Sequence, residues 1–101
     1  MSTLYVTEYD SLAIPGEGGH APVAHCPPVV DQTPVTISGS HAESAAFNAA
    51  TRFVRIHTDT ICSIAFGAAP AATTNNQRLA ANQTEYFGVI PGMKVSVIAN
   101  T

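Results

Sequence analysis

Alternating apolar and polar side chains predict β-strands at both ends of the chain. A strand points successive side chains to opposite faces, so its apolar positions recur with a period of two. The stretch 3–9, TLYVTEY, divides into one side with Leu4, Val6 and Glu8 and another with Tyr5, Thr7 and Tyr9. The stretch 93–99, MKVSVIA, alternates in the same way. We therefore expect a strand at each of these places.

Two hairpins are predicted in the second half of the chain. The runs RFVRIHT and ICSIAFG flank Asp59-Thr60, which can form a tight turn between two β-rich segments. The second hairpin pairs 85–89 with 93–99 around Ile90-Pro91-Gly92. Proline and then glycine fit a type II turn, because Pro fixes φ and Gly supplies the positive φ that follows.

Gly- and Pro-rich stretches predict loops between these strands. The segment 14–22, IPGEGGHAP, predicts a turn or loop, followed by a short strand at 23–25. Residues 29–38 are predicted to be extended, with Pro34 at a sheet edge or a bulge because it has no N–H to donate. We expect flexible loops near 15–28 and at 68–77, AAPAATTNNQ.

Residues 40–56, SHAESAAFNAATRFVRI, allow two interpretations. Ser40 and Glu43 match a capping box, which together with the Ala-rich stripe behind them indicates a helix over 41–50. The alternation that follows requires a strand from about Thr51, so a helix would have about ten residues, which is marginal without packing. We therefore favour a strand at 43–47, a turn at 48–50 and a strand at 51–58.

Composition supports an all-β fold. The chain has 101 residues, with 16 Ile and Val against 3 Leu, and 11 Thr. β-branched residues pack well on a pleated surface and lose rotamer freedom in a helix. We predict a single domain over 1–101, a compact antiparallel β-sandwich or jelly-roll-like barrel of about seven or eight short strands. The core of so short a chain is thin, and oligomerisation would supplement it.

Charge is sparse and unevenly distributed. All four basic residues lie after residue 51, whereas five of the seven carboxylates lie before it. Four cations cannot form the broad basic face that nucleic acid requires, so we expect no nucleic-acid partner. The N-terminus lacks the features of a signal peptide, and no stretch is apolar enough for a membrane helix. We expect a protein made in a cytosol, without a membrane partner, and we favour reduced thiols over a disulfide for Cys26 and Cys62.

Few residues carry candidate chemistry. His20, His25 and Cys26 form the best metal candidate, with His41 and His57 as additions, but zinc usually needs a compact paired spacing that is missing here. Cys62 with His57 could form a nucleophile and base, yet the isoleucines around Cys62 indicate buried packing rather than an activated thiol. We expect no catalytic residues, no metal and no cofactor.

An amide and aromatic segment near the end of the chain allows a weak carbohydrate-binding interpretation. Asn82-Gln83 and Tyr86-Phe87 are the residue types that bind sugars. Adjacent strand residues point to opposite faces, so the two rings cannot line one flat site. One ring belongs to the core and the other to a surface or interface, to which we assign Tyr86.

Three segments, STLYVTEY, SAAFNAATRFVRIHTD and RLAANQTEYFGVIPGMKVSVIANT, resemble in order and spacing a group of roughly hundred-residue proteins of tailed bacteriophages and prophages. The likeness spans most of the chain except the loop around 15–30. It implies a virion structural protein, and the size and β character are most similar to capsid decoration (cement) proteins on the virion surface. A tail, connector or head-fibre component is the alternative, and a carbohydrate-binding module is the alternative of another class.

The resemblance implies partners and an assembly. The implied partners are the major capsid protein or other virion proteins. The implied assembly is a homo-oligomer, with a trimer favoured. A cyclic contact could set the acidic first half of one subunit against the basic second half of its neighbour. The residues expected at this interface are Glu8, Asp10, Glu43, Arg52, Arg55, Arg78 and Tyr86.

Overall fold

A computed structural model describes residues 2–13 and 23–100 as two antiparallel β-sheets that form a sandwich. These residues contain nine strands and no helix, so the all-β prediction is confirmed. The strands are β1 (Thr3–Tyr9), β2 (Val30–Asp31), β3 (Val35–Thr36), β4 (Ala42–Glu43), β5 (Phe53–Thr58), β6 (Cys62–Gly67), β7 (Gln77–Leu79), β8 (Thr84–Gly88) and β9 (Lys94–Ala99).

The first sheet has the order β2-β1-β5-β8, with β3 also paired to β1, and the second has the order β4-β9-β6-β7. Alternate side chains of the central strands meet between the sheets. The core that they form contains Leu4, Val6, Val35, Ile37, Phe47, Val54, Ile56, Cys62, Ile64, Leu79, Val95 and Val97. The predicted division of β1 into two sides is present, and the structure shows that the side with Leu4, Val6 and Glu8 is the inward one, since all three are at most 2% exposed.

Both predicted hairpins are wrong. β5 pairs with β1 and β8, whereas β6 pairs with β7 and β9, so the chain crosses from one sheet to the other at Asp59-Thr60. The connection is anchored to the start of β1, because Asp59 N–H donates to Thr3 C=O at 3.1 Å. The segment 89–93 makes a second crossing between β8 and β9.

The Pro-Gly turn itself is present at the second crossing. Gly92 has φ of 86° and Met93 N–H donates to Ile90 C=O at 3.2 Å, as a type II turn requires. Gly92 N–H then donates to Phe47 C=O at 2.9 Å. The turn therefore docks on the 44–48 segment and does not close a hairpin.

The segment 40–56 contains no helix, and its first strand is shorter than predicted. β4 covers only Ala42–Glu43, a turn follows at 49–50, and β5 begins at Phe53. The segment after β4 still bonds to the second sheet, since Ser44 N–H donates to Val95 C=O and Phe47 N–H donates to Met93 C=O, each at 2.8 Å. Side chains bind two other amides of this segment: Ala45 N–H donates to Gln32 Oε1 at 3.0 Å, and Asn48 N–H donates to a Glu8 oxygen at 2.7 Å.

Pro34 lies both at a sheet edge and at a bulge, as its missing N–H predicts. The pairs Thr7–Asp31 and Thr3–Thr36 differ by one residue in register, so one extra residue lies between β2 and β3. The predicted strand at 23–25 is reduced to a single bridge between Leu12 and Ala24.

The 68–77 loop covers the outer face of the second sheet. Most of it is exposed, but Ala72 is buried and its N–H donates to Ser96 Oγ at 2.9 Å. Asn76 Oδ1 accepts a hydrogen bond from Thr73 N–H at 2.7 Å, which closes a small turn in the loop. The expected flexibility of this loop stays a prediction, and the Gly-rich loop at 14–22 lies outside the described residues.

Candidate binding surface

Aromatic side chains are concentrated on the outer face of the first sheet. In the antiparallel register, Tyr5 is opposite His57, Tyr9 is opposite Phe53, and Tyr86 is opposite Arg55. These residues point away from the core because their neighbours in each strand point into it. We call the surface formed by Tyr5, Tyr9, Phe53 and Tyr86 the aromatic face.

Three rings of the aromatic face, those of Tyr9, Phe53 and Tyr86, form a chain of contacts across three strands, and Tyr5 contacts the neighbouring His57 ring. Tyr9 and Phe53 stack with centroids 5.2 Å apart, and Phe53 and Tyr86 are tilted at 6.3 Å. Tyr5 lies 6.2 Å from the His57 ring, and His57 Nδ1 is within hydrogen-bonding distance, 2.7 Å, of Thr84 Oγ1. Such cross-strand contacts fix the positions of the rings before anything binds them.

The aromatic face is only partly covered by the chain itself. The bridge between Leu12 and Ala24 lies beside it, and Tyr9 is 8% exposed, whereas Tyr5 is 41% and Tyr86 is 55% exposed. Burial raises the pKa of the Tyr9 hydroxyl above its ordinary value of 10.0. Tyr9 is therefore part of the support of the face, and Tyr5 and Tyr86 are its accessible rings.

A groove of about 390 Å³ runs along one side of Tyr86. It is lined by Leu12, Ala24, Phe53, Tyr86, Phe87 and Gly88. The side chains of this lining are apolar apart from the Tyr86 hydroxyl and none is charged, so the groove suits an apolar side chain or the flat face of a ring better than a charged group.

A second apolar groove, of about 220 Å³, lies at the end of the sandwich between the sheets. It is lined by Phe47, Phe66, Gly67, Phe87, Gly88, Val89, Ile90 and Met93. Ile90 is 64% exposed at its mouth. Phe87 borders both grooves from the core side, which confirms that Phe87 packs inward and Tyr86 outward.

The residues predicted at a subunit interface are spread over both faces of the molecule. Arg55 and Tyr86 belong to the first sheet's outer face, and Asp10 and Arg52 lie at the end of the β1–β5 pair. Glu43 and Arg78 lie on the outer side of the second sheet. No single patch of the described surface contains them all. Their interface role stays a prediction, except for Glu8.

Glu8 is buried inside the sandwich, so its predicted place at a subunit rim is wrong. Its residue is 1% exposed, and its carboxylate accepts hydrogen bonds from Thr51 Oγ1 at 2.6 Å, Asn48 N–H at 2.7 Å and Gln32 Nε2 at 2.7 Å. Gln32 follows β2 in the same register, and its N–H donates to Val6 C=O at 3.1 Å, which places it beside β1 on the inward side. Hydrogen bonds from three donors offset the cost of burying the carboxylate. The two donors at positions 48 and 51 also fix the 44–51 segment against β1.

Glu43 has a partner within its own chain. Its carboxylate lies 3.4 Å from Lys94 Nζ, and both side chains are more than one-third exposed. It is the one salt bridge among the described residues. An exposed pair of this kind contributes little to stability and leaves Glu43 accessible to a partner.

Cys62 and His57 do not form a catalytic pair. His57 is on the outer side of the first sheet, whereas Cys62 is fully buried in the core. Burial raises the pKa of the Cys62 thiol above 9.0, and its hydrogen bond with Thr58 opposes the rise. A thiol in this environment is protonated near neutral pH and is a poor nucleophile.

The described residues bring no three His, Cys, Asp or Glu side chains together in a way that could hold a metal ion. Cys26 is exposed and free, and His25 is exposed beside it. His20 lies outside the described residues. No helix in the described part of the chain could cross a membrane.

Sequence reasoning separated the two sides of β1 by their alternation but missed the aromatic face as a unit. The alternation of β1 places Tyr5 and Tyr9 together, and that of β5 places Phe53 and His57 together. Only the pairing of β1, β5 and β8 makes them neighbours of Tyr86. Their shared period of two was the available signal.

Comparisons with protein-family models, with curated proteins and with solved structures find no match to this chain.

Proposed function

We propose that this chain is a structural protein of a tailed-bacteriophage virion, and within that class a decoration (cement) protein. It would bind the major capsid protein on the surface of the assembled head and stabilise the shell. The observation that carries the proposal is the aromatic face, whose rings are preorganised and partly exposed. The order and spacing of the three phage-like segments supply the identity of the partner.

The chemistry of the surface fits a protein partner. Tyr is enriched at protein interfaces because its ring buries a large area and its hydroxyl retains a polar contact. Arginine is another residue type that is enriched at protein interfaces, and Arg55 lies opposite Tyr86 on the neighbouring strand. Only 11% of the residues are charged, so few hydrated side chains would have to be buried in such a contact. This role requires no catalysis and no cofactor.

Binding to purified heads tests the proposal. We expect the protein to cosediment with assembled shells in hundreds of copies per particle, counted by quantitative mass spectrometry. The variant Tyr5→Ser/Tyr86→Ser should lose most of this binding while its far-UV spectrum is unchanged. Ile90→Ser is the control, because Ile90 is a large apolar residue outside the aromatic face that is even more exposed, at 64%, than the two tyrosines.

Two results would contradict the proposal in different ways. Six, twelve or a few tens of copies per particle would replace decoration with the alternative of a tail, connector or head-fibre component. Absence from purified virions would remove the phage structural assignment altogether. A homotrimer is the assembly expected on the shell, and light scattering of the free protein tests it separately.

A carbohydrate-binding module is the second candidate, favoured by one observation. Tyr86 stands beside an open groove and shares its face with Tyr5 and Phe53, so several rings are available to stack on a sugar after all. The groove has few polar groups to orient hydroxyls, which is why protein binding ranks first. Robust binding on a glycan array that is lost in Tyr86→Ser, without binding to shells, would establish the second candidate instead.

A further inference from the structure

Among the residues that the structure describes, the first sheet ends at β8 in an edge with no paired strand. Proteins usually protect sheet edges with short strands, prolines, charges or bulges, because a free row of backbone groups pairs with other chains. The opposite edge of this sheet has Pro34 and a register shift, and the edges of the second sheet, β4 and β7, have only two and three residues. β8 has five residues in one unbroken register, and Glu85 is its only charge.

The hydrogen-bonding phase of β8 shows which groups are free. Val89 N–H donates to Arg52 C=O at 3.1 Å, and Thr58 N–H donates to Gln83 C=O at 3.2 Å. Pairs alternate along an antiparallel ladder, so Phe87 and Glu85 also bond to β5. The backbone N–H and C=O groups of the residues between them therefore point away from β5, toward the outer edge of the sheet. These residues are Thr84, Tyr86 and Gly88, and none of their backbone groups has a partner in the described part of the chain.

This edge is complementary to itself. In an antiparallel pairing of two β8 strands centred on Tyr86, each Tyr86 faces its counterpart and each Thr84 faces a Gly88. All three free residues of one copy then meet the free residues of the other, and up to six backbone hydrogen bonds form. Glu85 is opposite Phe87 in this register, so the two carboxylates do not face each other, as they would if the pairing were centred on Glu85.

We propose that the β8 edge binds a second copy of this chain by twofold antiparallel strand pairing. The two five-stranded sheets become one continuous sheet across the dyad, and the two Tyr86 rings lie side by side on its outer face. The aromatic faces of the two copies are thereby joined. The inference rests on the backbone of β8 and holds whether or not the protein binds a phage shell.

A single proline substitution in β8 provides a sharp test. Tyr86→Pro removes an outward N–H and blocks the edge, and it leaves the bonds from Phe87 and Glu85 to β5 in place. Tyr86→Ala is the matched control, since it removes the same ring but keeps the N–H. Light scattering should give an even number of 10.5 kDa subunits for the wild type and for Tyr86→Ala: two, or six where the proposed threefold contact forms as well. Tyr86→Pro should weaken association by at least about tenfold.

Amide hydrogen exchange provides a second readout that does not depend on a variant. In the wild-type oligomer, the amides of Thr84, Tyr86 and Gly88 should be protected and should lose this protection on dilution. The Phe87 amide, which bonds within the subunit, should remain protected throughout.

Three results would overturn the inference: a wild-type mass of 10.5 kDa at every concentration, rapid exchange at Tyr86 in the oligomer, or unchanged association in Tyr86→Pro. A trimer with rapid exchange at Tyr86 would overturn it while leaving the proposed function intact. A β8-paired dimer that does not bind shells would support the inference and contradict the proposed function.

Discussion

Replacing the buried carboxylate of Glu8 by an amide should destabilise the fold strongly. Glu8 accepts three hydrogen bonds of 2.6–2.7 Å, two of them at one oxygen and the third, from Gln32 Nε2, at the other. In Glu8→Gln, one oxygen can still serve Asn48 and Thr51, but the new amide group faces the Gln32 amide. Gln32 cannot turn over without loss, because its Oε1 accepts from Ala45 N–H and its Nε2 also donates to Ala45 C=O.

The magnitude follows from these contacts. A hydrogen bond to a charged group contributes about 1.5–3 kcal/mol, and a buried donor left without an acceptor costs about 1–3 kcal/mol. Glu8→Gln loses one such bond and creates one donor–donor contact, which together amount to about 2.5–6 kcal/mol. Because Gln32 is only part-buried and its Nε2 keeps a bond to Ala45 C=O, we expect a loss in the free energy of unfolding in the lower part of this range, about 2.5–4 kcal/mol. Domains of this size have about 5–15 kcal/mol in total, so the change should be large in any unfolding curve.

Urea unfolding at pH 7, followed by far-UV circular dichroism, measures the effect. Glu43→Gln is the control, because it removes an exposed carboxylate with a 3.4 Å partner and should cost less than about 1 kcal/mol. Glu8→Gln/Gln32→Glu should recover part of the loss, since an amide and a carboxylate face each other again. A Glu8→Gln variant within about 0.5 kcal/mol of wild type would refute the reasoning.

Three further predictions concern the core, the Pro-Gly turn and the 68–77 loop. Because the pKa of the Cys62 thiol is raised in the folded state, the thiol of the unfolded chain loses its proton first as the pH rises through 9.0. The free energy of unfolding should therefore fall above this pH, and it should fall less steeply in Cys62→Ala. Gly92→Ala should lower the melting temperature by straining a φ of 86°, at about 1 kcal/mol, whereas Gly39→Ala, with open space and no positive φ, should not. Ser96→Ala should leave the buried N–H of Ala72 without its acceptor, at about 1–3 kcal/mol, and hydrogen exchange should accelerate at that amide. Unchanged exchange there would contradict the role assigned to Ser96.

The sequence by itself determined the local features of this protein. A period of two is a property of each strand, so the inward and outward sides of β1 and β5 could be predicted without knowing their neighbours. The turn at Pro91-Gly92, the break at Pro34 and the inward Phe87 beside the outward Tyr86 likewise depend only on φ preferences and alternation.

Only the tertiary structure decided which strands are neighbours. A short connection such as Asp59-Thr60 can close a hairpin or cross to the facing sheet, and its residues do not distinguish the two. The choice depends on burying both inner faces at once, which pairs β1 with β5 across more than forty residues. The aromatic face and the free edge of β8 both arise from that pairing. Glu8 shows the same limit, since its burial depends on donors at positions 32, 48 and 51 that meet only in the folded chain.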